Sequence, residues 1–116
     1  MPFVFNPFTG NFDKVNEATV ADPQFDVVSV STNTNAANKK TYLVDVSGGA
    51  VTITLPTPEA NAFVIIKDST GNANTNNITV ARNGSEDIDG VAANYTMDSD
   101  LESKTFVSDG TDWSVL

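Results

Sequence analysis

Neither cysteine nor histidine occurs in this chain of 116 residues. Their absence excludes Cys or His zinc ligands, Cys-held iron–sulfur clusters, Ser-His-Asp or Cys-His nucleophile pairs and any disulfide framework. Positive charge is scarce too. Six Lys and Arg face 15 Asp and Glu, which gives a formal net charge of −9 and an isoelectric point near 4.1. Such a surface repels a phosphate backbone, so nucleic acid is not an expected partner. The longest apolar run, Ala62–Ile66, falls far short of the roughly 20 residues of a membrane span, and no membrane association is expected. Met1–Phe8 offers no basic region, continuous apolar stretch or small-residue cleavage site, and predicts no signal peptide. Lack of Cys suits either a reducing cytoplasm or a particle exposed to changing redox conditions.

What is present is β composition. Asn, Thr and Val dominate, with 13, 14 and 14 residues, while the helix formers Leu, Lys and Glu are few. The length fits one domain able to hold a core without disulfides or metal. Period-2 segments predict strands near Phe25–Thr32, Thr41–Val46, Ala50–Leu55, Ala62–Asp68, Asn77–Arg82, Tyr95–Asp98, Lys104–Ser108 and Trp113–Leu116. Ser47-Gly48-Gly49 reads as a hairpin between the second and third of these. Asp109-Gly110 reads as a type I′ hairpin between the last two, and Asn83-Gly84 as a further turn. At most a turn near Thr57–Asn61 is expected to be helical. The predicted fold is all-β: a small antiparallel β-sandwich or barrel of about seven or eight strands over residues 25–116, with Trp113 closing one end of its core. An extended N-terminal arm and linker, residues 1–24, precede it.

That arm is different in kind. Phe3, Phe5, Phe8 and Phe12 are four of the chain's seven phenylalanines, and Asn6, Pro7 and Gly10 set bends between them. Leaving four Phe side chains in water would forgo roughly 6 to 12 kcal/mol of burial, so they are expected to dock. They either cover the open end of their own β domain or insert into a partner chain. Lys14–Gln24 reads as a polar linker ended by Asp22-Pro23.

Acidic residues crowd the C-terminal third: Glu86, Asp87, Asp89, Asp98, Asp100, Glu102, Asp109 and Asp112. An EF-hand frame with Gly90 sixth puts Ser85, Asp87 and Asp89 at positions 1, 3 and 5 but Thr96 at 12, and fails. Asp98, Asp100 and Glu102 alternate, so in an extended strand they would share one face and could hold a hard cation. The preferred reading is a solvated edge that discourages strand-on-strand association, with no metal and no cofactor. Fifteen acids make a glycosidase-like carboxylate pair almost inevitable by chance, and no phosphate-binding Gly loop is present. The sequons at Asn77, Asn83 and Asn94 read as chance in an Asn- and Thr-rich chain. No catalytic function and no small-molecule substrate are expected.

Taken together, several stretches resemble small virion proteins of tailed bacteriophages. They are Met1–Asp13, Tyr42–Pro56, Asn77–Gly84, Ile88-Asp89-Gly90 and Phe106–Trp113, and the likeness covers nearly the whole chain. The resemblance implies a virion protein made in the host bacterial cytoplasm, forming a homotrimer or another small symmetric assembly on the particle. A single short domain leaves no shaft for a fibre. The expectation is therefore a capsid decoration (cement) protein that binds the outside of the major capsid protein, or another virion protein. Phe3, Phe5, Asn6, Pro7, Phe8, Gly10 and Phe12 would form the contact. The alternative is a short head or tail fibre, or tail-associated protein, that recognises host-surface glycan, for which Trp113 and Tyr95 are the candidate aromatics, although the preferred reading places both in the core.

Overall fold

A computed structural model describes residues 25–116. Nine strands form two sheets, and no helix occurs among the described residues. The strands are β1 (Val27–Val30), β2 (Thr34–Asn35), β3 (Lys40–Val44), β4 (Val51–Thr54), β5 (Ala60–Asp68), β6 (Ile78–Ala81), β7 (Tyr95–Met97), β8 (Ser103–Asp109) and β9 (Trp113–Val115). The first sheet has the order β1-β3-β5-β8-β9 and the second β2-β4-β6-β7. Each predicted strand appears, and Thr34–Asn35 is added to them.

The direction of the strands departs from the expected antiparallel arrangement. From β1 to β6 the chain alternates between the sheets, and β1/β3, β3/β5, β2/β4 and β4/β6 all pair in parallel. This part is a coil of two-strand rungs. Only β6/β7, β5/β8 and β8/β9 are antiparallel. The sheets are open, which excludes the closed-barrel alternative and fits a sandwich of two mixed sheets. Parallel sheets usually bury both faces and read as continuous apolar runs. Here each sheet buries one face only. Val51-Thr52-Ile53-Thr54 alternates buried and half-buried residues, a pattern that does not reveal the direction of the neighbour.

Three turn expectations change with it. Ser47-Gly48-Gly49 makes no hairpin, because β3 and β4 lie in different sheets and the loop carries the chain across. The β8/β9 hairpin exists, with Ser108 opposite Trp113, but Gly110 alone in its loop has positive φ, at +102°. Type I′ requires positive φ at both central residues, and that geometry occurs elsewhere. Asp89 (φ +56°) and Gly90 (φ +77°) connect the antiparallel bridge Ile88–Val91. No helical turn forms over 57–61. Instead β5 starts at Ala60, and Asn61, at φ +67°, sits where the β5/β8 register shifts. Asn tolerates the left-handed region well, which makes it suited to such a bulge.

One core joins the sheets. Val44, Val64, Ile66 and Phe106 meet Ile53, Ile78, Val80 and Met97, all fully buried. Tyr95 on β7 packs edge-on against Phe106 on β8, with ring centroids 5.6 Å apart at 80°, and so ties the second sheet to the first. Trp113 is 1% exposed on the outermost strand of the first sheet. Ile88 bridges to it, with Trp113 N–H donating to Asp87 O and Asp89 N–H to Trp113 O. That edge is thereby partly covered.

Candidate docking surface

At the opposite end of the coil no further strand pairs among the described residues. β1 and β2 are the terminal strands of their sheets. Thr41 and Asp45 N–H donate to the carbonyls of Asp26 and Val30. Alternate residues of a parallel strand serve the same neighbour, so the backbone groups of Val27 and Ser29 face away from β3, and no other described strand pairs with them. Two exposed side chains there are apolar, Phe25 and Val27, which retain 63% and 52% of their accessible surface, and polar Asp26, Ser29, Asn33 and Asn35 are exposed beside them. A 2.5 Å ion pair from Lys40 Nζ to Asp26 fastens the start of this strand to β3. Beside the edge runs an open groove of about 360 Å³ lined by Ser29, Val30, Ser31, Leu43, Asp45, Ser69 and Thr70. The chain enters this edge directly from residue 24. Phe3, Phe5, Asn6, Pro7, Phe8, Gly10 and Phe12 lie outside the described residues, as does the rest of segment 1–24.

The two aromatics named for a glycan platform are not available to one. Trp113 is buried, and Tyr95 is half-buried against Phe106. Phe25 is the one exposed aromatic among the described residues.

The acidic third of the chain has a different task from the one expected. Asp98, Asp100 and Glu102 do not alternate along a strand, because a turn reverses the chain at 99–101 and Leu101 adopts φ +62°. Glu102 Oε1 accepts from Asp98 and Ser99 N–H, and Asp100 Oδ1 accepts from Asn74 N–H. Glu86 takes the amides of Asn83 and Gly84, which shapes the expected turn there. Asp109 takes those of Thr111 and Asp112, Asp112 that of Asp87, and Asp89 that of Val115. Six of the eight acids thus hold backbone N–H groups that the loops would otherwise leave unpaired. No group of three His, Cys, Asp or Glu side chains is placed to hold a metal ion among the described residues.

Asp68 is the extreme case. It ends the inward-facing series Ala62, Val64, Ile66, Asp68 on β5 and is fully buried. Oδ1 accepts from the N–H groups of Thr70 and Gly71, both at 3.1 Å, and Oδ2 from those of Ala73 and Leu101, both at 2.9 Å. One carboxylate therefore organises the loop after β5 and ties it to the turn before β8. Burial pushes its pKa up, but the amides of Leu101, Ala73, Thr70 and Gly71 outweigh this and hold it below the ordinary value. The Ser47 hydroxyl and amide lower Asp45, and the amides of Asp112 and Thr111 lower Asp109. Burial raises Glu86, but backbone amides and the Arg82 charge bring it lower overall.

These directions fix the sign of the pH dependence. A carboxylate with a lowered folded-state pKa contributes stability that is present above its unfolded value and lost as pH falls through the folded one. Thermal melts should therefore hold steady near neutrality and drop once pH passes below 4.5 and 3.8, the ordinary values for Glu and Asp. A melting temperature unchanged down to pH 2 would show that these carboxylates are no better accommodated in the folded chain than in the unfolded one.

In comparisons with known proteins, no family model matches the chain and no curated protein matches it significantly.

Proposed function

We propose that this chain is a structural protein of a tailed-bacteriophage virion. In this reading it is a capsid decoration protein that binds the outside of the major capsid protein lattice and stabilises the shell. Phe3, Phe5, Phe8 and Phe12 are the anchors, and Asn6, Pro7 and Gly10 shape the arm between them. The supporting observation is that the described domain begins at an edge strand, β1, with Phe25 and Val27 exposed, and the Phe-rich segment precedes that strand in the sequence. The acidic loops, capped by their own carboxylates, suit an outward, soluble surface. Stabilisation of the shell would be linkage, since a protein that binds only the assembled lattice shifts the equilibrium away from disassembly. A small symmetric assembly such as a trimer would multiply modest arm affinities through effective concentration.

The test is to mix the full-length chain with purified capsids and, separately, with tails, and to sediment each. Co-sedimentation with capsids, together with a higher temperature of capsid disruption, is the expected result. Binding to tails alone would transfer the protein to the fibre reading, and binding to neither would remove it from the virion surface.

A further inference from the structure

The register that builds the core also builds a second apolar layer, on the outer face of the first sheet. Side chains alternate across a sheet, so the residues between the buried ones point away from the second sheet. Pairing sets them in rows: Phe63 beside Val107, Ile65 beside Thr41 and Val27, and Leu43 beside Lys67. Phe63, Ile65, Leu43 and Val107 are half-buried, yet none belongs to the core between the sheets. Thr41, in their midst, is 8% exposed, and its hydroxyl has no hydrogen-bond partner. The outer face of the second sheet differs. There Thr52, Thr79 and Thr96 stand in register across β4, β6 and β7, as suits a solvated face.

We infer that this face binds the same face of a second copy of the chain, about a two-fold axis that crosses the strands at Ile65. Charge selects the occupant. With a net charge of −9, two copies repel one another wherever carboxylates meet. The outward positions of these five strands hold one carboxylate, Asp109 at the rim. Area agrees. At about 4.8 Å between strands and 3.3 Å per residue, the face measures roughly 24 by 20 Å, so two copies would bury about 1,000 Å² together, the lower limit of a specific interface. Charge also selects the axis. Lys67, opposite Ser103, and Asp109, opposite Ala60, lie at the two ends of the β5/β8 pair. An axis across the strands brings the Lys67 end of each copy over the Asp109 end of the other, whereas an axis along them would set like over like. Such a contact uses the same patch twice and closes at two copies. It does not rest on the capsid reading.

Sedimentation equilibrium of the full-length chain tests it. A monomer–dimer equilibrium is expected between roughly 1 and 100 μM, as befits an interface of this size. Ile65→Lys sets two charges against each other on the axis and should weaken dimerisation by at least about a hundredfold. Lys67→Glu keeps the apolar residues but opposes the partner's Asp109, and should weaken it by roughly tenfold, less at high salt. Thr52→Lys, on the outer face of the second sheet, should change nothing. Thermal melts accompany each variant, and if Ile65→Lys does not melt cooperatively, Lys67→Glu alone decides. A chain that stays monomeric at about 100 μM, or one that forms a trimer, would overturn the inference. A dimer that survives Ile65→Lys would place the contact on another surface, and one indifferent to Lys67→Glu would overturn the axis.

Discussion

Asp68→Asn should lower the melting temperature by roughly 12–24 °C, the equivalent of about 3 kcal/mol for a domain of this size. The substitution keeps the volume of the side chain and removes only one acceptor oxygen. In its place an amide NH2 would face backbone N–H groups that now donate to the carboxylate, either Thr70 and Gly71 or Ala73 and Leu101. Two buried donors lose their partner, and the site has no exposure through which water could replace it. Leu101 holds positive φ, at +62°, a conformation that the surrounding hydrogen bonds must enforce. Loss of the carboxylate should loosen both loops at once. Asp109→Asn, which alters a similar pair of amide contacts on an exposed turn, should give a much smaller shift. Equal effects from the two would mean that burial of Asp68 carries no energetic weight.

Replacing Phe3, Phe5, Phe8 and Phe12 together by Ser in the full-length chain should abolish capsid binding while leaving the cooperative melt in place. If each anchor buries a side chain worth about 1.5–3 kcal/mol, losing all four weakens attachment by at least about 10⁴-fold. Single replacements should be unequal, because a few anchors usually dominate an interface. Binding isotherms against intact capsids and thermal melts of the free protein read the two quantities separately. Retained binding, or a melt that broadens and falls by many degrees, would move the phenylalanines from a partner surface into the chain's own core.

The strands were legible because each sheet keeps one wet face. Alternation in Val51–Thr54 and Ala62–Asp68 survives intact. Direction was not legible, because a half-buried strand shows the same pattern beside a parallel neighbour as beside an antiparallel one. Thr34–Asn35 was missed because two residues carry no period. The type I′ turn expected at Asp109-Gly110 forms instead at the other Asp-Gly, Asp89-Gly90, where Ile88 and Val91 close it. Asp68 could have been read from its parity, since it extends the inward series of β5, and from the Ser-Thr-Gly that follows it, suited to a side chain that caps its own turn. The acidic loops misled for a physical reason: charge spacing along the sequence says nothing about carboxylates that fold back onto backbone amides. The open edge at β1 and β2 carries no local signal, because it follows from how the rungs are stacked.

That stacking also governs the order in which the chain can be completed. Rungs β1 to β6 are added successively, each beside the last, so they can form as the chain emerges during synthesis. β5 is the exception. Its second neighbour is β8, paired from Ala60 with Asp109 to Lys67 with Ser103, and contacts so distant along the chain form slowly. Until Ser103–Asp109 has been made, the longest strand of the fold presents one unpaired edge, Ala60–Asp68, flanked by the side chains of Val64 and Ile66. An incomplete chain halted before that point carries a template for association with its own kind. The closing hairpin is thus the step that removes the free edge of a growing, self-adhesive ribbon.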